Sequence, residues 1–308
     1  MVAPCAEKTA FLFAGQGSQY SGMGKDLYEA FPESRAVFDQ SCEALGFDLT
    51  KIIFEGPDSS LKPTNISQPA IVTVTIAAFE AFKKRQGVTP CFCAGLSLGE
   101  YTALIASGSI DFKQGIALIK KRGEIMEEAA KKHPGKMAAV LDLDADKIAQ
   151  ICRESGCQIA NLNCPGQIVI TGNADAVAKA SEACSSAGAK KVIQLEVSGG
   201  FHSSLMLDAS VKLREILEAV PLSDSQVPII SNYTALPQQE AGLIRENLVK
   251  QIYSSVRWEE SMRYLRSQGV TKFFEFGPGR VLKGLMRRID PAAAVVNIEK
   301  KADIGGSG

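Results

Sequence analysis

Histidine is scarce. Across 308 residues the chain holds two, His133 and His202, so metal centres and proton relays built on imidazole have little to draw on. The eight cysteines contain no CxxC pair. Cys91 and Cys93 share an apolar run, while Cys152, Cys157 and Cys164 are scattered. We therefore expect no metal site, and reduced thiols in a cytoplasmic protein. Net charge is missing as well, with Lys+Arg 34 against Asp+Glu 34. The chain as a whole offers no attraction to nucleic acid or to a membrane surface, and neither is an expected partner. No apolar run approaches the roughly 20 residues that span a bilayer. Met1–Lys8 has neither the apolar core of a signal peptide nor the Arg-rich character of a transit peptide. No internal repeat or low-complexity segment precedes Gly305-Gly306-Ser307-Gly308, which reads as a linker remnant at 305–308.

What remains is an ordinary globular composition, 45% hydrophobic and 22% charged, long enough for one large domain or a large and a small one. Thr9–Phe13 reads as a short apolar strand, followed by amphipathic helices, the longest between Pro69 and Arg85. Cys91–Ala94 reads as a buried strand, Glu100–Ala106 as a helix, and Phe112–Lys131 as another. Strand-then-helix repetition with apolar strands implies a mostly parallel sheet covered on both faces. Between His133-Pro134 and Ser198-Gly199-Gly200 the rhythm changes. Strands at Lys136–Leu141, Cys157–Leu162, Gln167–Thr171 and Lys190–Val197 alternate with helices at Asp144–Glu154 and Ala174–Ala187, the βαββαβ order of a ferredoxin-like unit. After it come a helix at Ser204–Val220, a strand near Val227–Ile230, and two helices split near Ser254-Ser255. A strand at Lys272–Phe276, a helix to Arg288 and a strand at Ala294–Ile298 complete the chain. The expected fold is α/β. A large, discontinuous hydrolase-like domain (1–132 and 199–304) carries an inserted ferredoxin-like subdomain (133–198).

Gly95-Leu96-Ser97-Leu98-Gly99 lies between the Cys91–Ala94 strand and the Glu100–Ala106 helix, the context that makes G-x-S-x-G a nucleophile elbow. A sharp turn there projects a serine hydroxyl from the sheet edge. The Leu98 N–H then sits at a helix N-terminus, where the dipole favours a developing oxyanion. The competing reading is a glycine-flanked turn with a capping serine. A serine needs a base. His133, before Pro134, reads as a surface turn residue. His202 begins a helix, an environment that keeps imidazole neutral. The acids between Ser97 and His202 (Asp142, Asp144, Asp146, Asp175) fall on the insertion, so a Ser–His dyad fits better than a triad. Gly15-Gln16-Gly17 fails as a dinucleotide fingerprint because Tyr20 stands at the last position. Its alternative role is to lend the Gln16 N–H as a second oxyanion donor. Arg122 falls on the apolar stripe of its helix with Gly115, Ile119 and Met126. Either a buried protein carboxylate pairs with it or it awaits a substrate carboxylate.

Taken together, Phe13–Gln19, Gln68-Pro69-Ala70, Gly95–Tyr101, Arg122, Asn161–Gly172, Gly200–Ser203, Val256-Arg257-Trp258 and Gly277-Pro278-Gly279 resemble the malonyl-CoA:acyl carrier protein transacylases and the acyltransferase domains of fatty acid and polyketide synthases. The matches occur in family order over almost the whole chain. The resemblance implies Ser97 as acylated nucleophile and His202 as its base. It implies Leu98 and Gln16 as oxyanion donors and Arg122 as the malonyl-carboxylate clamp. A backbone carbonyl at Gln251 would orient the histidine. It makes Phe201 the aromatic that selects malonyl, and places Gln68 and Asn163 at the site. Two departures are Gly200 for a more usual Ala, which could loosen the loop carrying His202, and Ser255 where a Pro is common. The implied reaction is ping-pong transfer of malonyl from malonyl-CoA to an acidic, phosphopantetheinylated carrier protein by a monomer with no permanently bound cofactor, supplying fatty acid synthesis. Lys190 and Lys191, or Arg280, Lys283, Arg287 and Arg288, are the candidate docking cations. The alternatives are loading of polyketide synthases in trans, a serine esterase or thioesterase, and a non-catalytic carrier-binding module.

Overall fold

The computed structural model describes residues 8–305. The leader reading at Met1–Lys8 and the remnant at Gly305–Gly308 therefore fall outside it, Lys8 and Gly305 excepted. The chain opens with β1 (Thr9–Phe13), α1 (Lys25–Ala30), α2 (Pro32–Leu45), α3 (Leu49–Glu55) and α4 (Thr64–Gln86). Then come β2 (Phe92–Gly95), α5 (Leu98–Ala106) and α6 (Phe112–Lys132). The next stretch runs β3 (Gly135–Leu141), α7 (Ala145–Ser155), β4 (Gln158–Cys164), β5 (Gln167–Asn173), α8 (Ala174–Ser186) and β6 (Lys191–Gln194). It continues with α9 (Leu207–Ala219), β7 (Ile229–Ile230), β8 (Pro237–Gln238), α10 (Ala241–Gln251) and α11 (Trp258–Ser267). The last elements are β9 (Lys272–Phe276), α12 (Val281–Ile289), β10 (Ala294–Ile298) and α13 (Lys301–Ile304).

Every residue of β1 is buried, as a strand covered on both faces requires. It is central in a six-stranded sheet of order β10-β9-β1-β2-β7-β8. The pairings are parallel except for β8, which folds back antiparallel on β7. Phe13 stands beside Gly95 and Phe276 in register, so the loops after β1, β2 and β9 leave the same edge together. That edge is where open α/β sheets bind ligands. Beneath it Phe11, Phe13, Phe79, Phe82, Phe274 and Phe276 interlock, mostly edge to face.

The second sheet is antiparallel, with order β4-β5-β3-β6. Its helices bring Ile148, Ile151, Val177 and Ala180 against Val140 and Ile170 in a core of their own. The free edge of β4 is tied to the large sheet's side by the segment after α10. Val256 N–H donates to Ala160 O over 2.8 Å, Leu162 N–H to Val256 O over 2.9 Å, and Ser255 Oγ to Ile159 O over 2.5 Å. Ser255 thus makes a contact that a proline would lack.

Several expected boundaries move. The longest helix starts at Thr64, so Pro69 lies inside it and not at its head. Sixteen of its 23 residues are buried, and that packing outweighs the missing proline N–H. The strand expected at Lys190–Val197 pairs only over Lys191–Gln194, and that at Val227–Ile230 only over its last two residues. The helix expected from Ser204 opens with a separate 3-10 turn, Ser204–Met206. β8 lies between the strand expected near Val227–Ile230 and the two helices expected after it, where no element is expected. A two-residue strand carries no periodicity to detect.

Candidate active site

Ser97 joins β2 to α5 with φ 52° and ψ −98°, a conformation that costs a non-glycine residue about 1–3 kcal/mol. The turn is tight. A Cβ on Gly95 would lie 2.0 Å from the carbonyl carbon of Gly99. The strained peptide is held from outside. Ser97 N–H donates to Asn232 Oδ1 over 2.6 Å, and Asn232 Nδ2 returns a bond to Gly95 O over 2.8 Å. Ser97 O accepts from Gln251 Nε2 at 3.0 Å. Leu98 is the first residue of α5 and is buried.

His202 also sits at positive φ, 56°. Its Nδ1 lies 2.9 Å from Gln251 O and its Nε2 2.8 Å from Ser97 Oγ. A carbonyl can only accept, so Nδ1 carries the ring proton and Nε2 is left to accept from the serine hydroxyl. Burial, with the Arg122 cation adding to it, pushes the imidazole down to about 4. It is a neutral base at pH 7. The loop bearing it is fastened by Thr171 Oγ1 to Phe201 O (2.8 Å) and Ser203 Oγ to Gly200 O (2.6 Å). At Gly200 a Cβ would stand 3.0 Å from Gly172 O. A side chain there would be crowded, so the glycine suits the packing of this loop. A cleft of about 530 Å³ lined by Arg153, Gln158, Tyr253 and Ser254 reaches His202.

Arg122 is fully buried on α6. It donates from Nη1 to Gln68 Oε1 (2.9 Å), and from Nη2 to Ser97 Oγ and Gln251 Oε1 (both 3.3 Å). The Tyr101 ring lies under it at 4.8 Å, and Nε has no partner. Its hydrogen bonds go to amide and hydroxyl oxygens, not to a protein carboxylate. Of the two readings the sequence left open, the internal ion pair is absent from those bonds.

The Gln16 loop lies against the elbow, where a Cβ on Gly15 would come within 2.6 Å of Leu96 O. The Gln16 side chain accepts from Gln68 Nε2 at 3.2 Å, so Gln68 bridges Gln16 to Arg122. Phe201 is buried beside His202. Asn163 is buried on β4 with its Oδ1 unpaired, and among the described residues no hydrogen bond joins it to this network. His133 is remote, half-exposed at 3.2 Å from Asp208. The two cationic candidates converge. Asp142 Oδ1 accepts from Arg288 over 2.5 Å, while Oδ2 lies 3.7 Å from Lys190. The seven described cysteines are free. No described helix is long and apolar enough to cross a membrane, and no group of His, Cys, Asp or Glu among the described residues converges as a metal site.

Asn232, Thr171 and Glu100 escaped the sequence reading as parts of the site. A carboxylate three residues after Ser97 in an apolar helix was a signal. Asn232 and Thr171 gave none beyond standing near strand ends.

The acyl transferase domain family matches residues 10–298. The chain belongs to that family. A malonyl CoA-acyl carrier protein transacylase of Bacillus subtilis is 49% identical over 288 residues, covering 92% of this chain and 90% of its own. The polyketide biosynthesis protein ThaF of Burkholderia thailandensis is 42% identical over 288 residues, 92% of this chain but 24% of the larger protein. Among solved structures, a malonyl-transacylase in complex with a type II polyketide synthase acyl carrier protein superposes with a TM-score of 0.94 at 38% identity. That match covers 96% of this chain and 97% of the other. The expected α/β fold, with a mostly parallel sheet and a small antiparallel one, is that of these acyl transferase structures.

Proposed function

We propose that this chain moves a malonyl group from coenzyme A to the phosphopantetheine thiol of an acyl carrier protein, by way of an ester on Ser97. One observation carries the reading: the Ser97 hydroxyl is hydrogen-bonded to a neutral imidazole at 2.8 Å and lies 3.3 Å from a buried guanidinium. An esterase has no need of a cation beside its nucleophile. A malonyl ester does, because its free carboxylate lies only two bonds from the carbonyl carbon and falls within reach of Arg122.

In the first half-reaction Ser97 Oγ attacks the thioester carbon and its proton passes to His202 Nε2. The oxyanion is taken by the N–H groups of Leu98 and Gln16. The C–S bond breaks, and the proton on His202 goes to the departing thiolate of coenzyme A. In the second half the carrier-protein thiol gives its proton to His202 and attacks the ester. Ser97 leaves and recovers the proton. Arg122 grips the carboxylate throughout, which orients the ester for a thiol and against water. In this reading Gln68 shares that carboxylate and Phe201 crowds substituents on the α-carbon.

The supply of fatty acid synthesis is the reading that the Bacillus relative supports. The likeness to ThaF and to a transacylase bound to a polyketide carrier protein supports a second, polyketide loading with the same chemistry. The carrier protein docks, in this reading, on Lys190, Lys191 and the exposed face of α12, which Asp142 joins into one surface. All of Ser97, His202, Arg122 and Gln251 come from one chain, so a monomer suffices. Free thiols fit the cytoplasm. The test is a two-step chase. Isolated malonyl-enzyme should pass its label to a phosphopantetheinylated carrier protein faster than to water. Hydrolysis at the same rate as transfer would make the chain an esterase.

A further inference from the structure

Glu100 stands one helical turn after Ser97 on α5 and is fully buried. Its Oε2 accepts from Asn232 N at 3.1 Å and from Gln251 Nε2 at 2.8 Å, and its Oε1 from Gln238 Nε2 at 2.9 Å. The orientations of the two amides are fixed by their other ends. Gln251 Oε1 accepts from the Arg122 guanidinium, and Gln238 Oε1 from Asn247 Nδ2 at 2.8 Å. Three donors therefore face the carboxyl and no acceptor does, so the cradle is shaped for the anion. Burial raises Glu100, and with those donors and Arg122 pulling the other way it still stands at about 7.

A buried carboxylate is costly, and an apolar side chain would serve a helix core better. The other fully buried glutamate has a local reason. Glu275 accepts from Leu282 N and Lys283 N at 2.8 and 2.9 Å and so caps α12. Two of the three partners of Glu100, Asn232 and Gln251, lead instead to the reacting groups. Asn232 holds the Ser97 N–H. Gln251 holds the Ser97 carbonyl, the His202 Nδ1 and one arm of Arg122.

We infer that Glu100 is a positioning residue for acyl transfer: its carboxylate fixes Asn232 and Gln251, and through them sets the mutual placement of Ser97, His202 and Arg122. The inference rests on the Ser97 ester proposed above. It explains how a dyad without a triad acid keeps its geometry. A carboxylate is present, but it acts on the carbonyl-bearing residue and the elbow and does not touch the imidazole.

The test compares Glu100→Ala and Glu100→Gln with the parent chain in three readouts: melting temperature, the rate of Ser97 labelling by a fluorophosphonate, and single-turnover malonyl loading. Leaving Asn232 and Gln251 without their acceptor should slow labelling of folded E100A by about 10- to 100-fold. Loading should fall in kcat with KM for malonyl-CoA moved far less. E100Q keeps one oxygen for these donors and should fall between parent and E100A. A purely structural role predicts a lower melting temperature with an unchanged labelling rate per folded molecule, and that result overturns the inference. So does an E100Q no faster than E100A. Should E100A fail to fold, E100Q alone decides, and parental labelling in E100Q overturns it. Fluorophosphonate labelling needs only Ser97 and His202. A parent chain that labels but does not load malonyl would therefore count against the proposed substrate and not against the role of Glu100.

Discussion

A main-chain carbonyl holds the His202 ring: Gln251 O accepts the Nδ1 proton over 2.9 Å, leaving Nε2 turned to Ser97. Such a partner fixes the tautomer without adding a negative charge that would raise the imidazole's proton affinity. The dyad is built to stay neutral, and its consequences can be measured.

His202 should remain unprotonated well below the ordinary histidine range, because burial and the nearby Arg122 cation lower it to about 4. Imidazole NMR signals, assigned with a His133→Asn variant, should keep the neutral pattern as pH is lowered from about 8 to about 5.5. Removing the cation in Arg122→Ala should let the titration rise. Protonation of His202 at or above the reference value near 6.5 would show that the ring is not desolvated as described.

Arg122→Ala should separate two substrates that share a thioester. The lost charge-assisted bonds to a carboxylate amount to roughly 2–4 kcal/mol, or about 30- to 1,000-fold in malonyl loading. Acetyl loading, which has no carboxylate to lose, should be spared or improved. Rapid-quench acylation with the two coenzyme A esters reads the ratio. An equal loss for both would assign Arg122 to the serine and not to the substrate.

Asn232→Ala removes the acceptor of the Ser97 N–H and the donor to Gly95 O. It should lower stability by about 1–3 kcal/mol and slow Ser97 labelling, because the strained turn loses its outside support. Thermal melts and fluorophosphonate rates check both. An elbow that labels normally without Asn232 would be rigid by its backbone alone.

Glu275 offers a pH-dependent control on another strand, β9, with no hydrogen bond to the serine–histidine network among the described residues. Burial raises it from 4.5 to about 7. Between those values the folded chain holds a proton that the unfolded chain has released. The associated stability is therefore present below about 4.5 and lost as pH rises through about 7, by roughly 3 kcal/mol in all. Glu275→Gln cannot titrate. Its melting temperature relative to the parent should improve from pH 5 to pH 8, with the contributions of Glu100 and His202 cancelling in the comparison.

Charge reversal at the N-terminal end and on the exposed face of α12, as in Arg280→Glu with Arg287→Glu, should lower carrier-protein transfer relative to malonyl loading. The effect should shrink at high salt, as steering by surface charge does. Unchanged transfer would move the docking surface elsewhere.

Much of this arrangement was legible in the residues. The apolar run before Gly95 and the glycines around Ser97 specify the elbow locally, and Arg122 betrays itself as a cation on an apolar stripe. Other parts were not. Pro69 marks a helix start by its own chemistry, yet tertiary burial of α4 carries the helix back to Thr64. Asn232 meets Ser97 across 135 residues, a pairing with no periodicity or motif behind it. Glu100 was visible as a charge in an apolar helix, but its partners come from segments that only the folded sheet brings together.

The most direct measurement is the intact mass of the chain after brief mixing with malonyl-CoA, compared with Ser97→Ala. The expected result is one malonyl group on the parent, mapped to Ser97, and none on the variant. An unmodified parent, or an adduct that survives in Ser97→Ala, would contradict a transfer that runs through a serine ester.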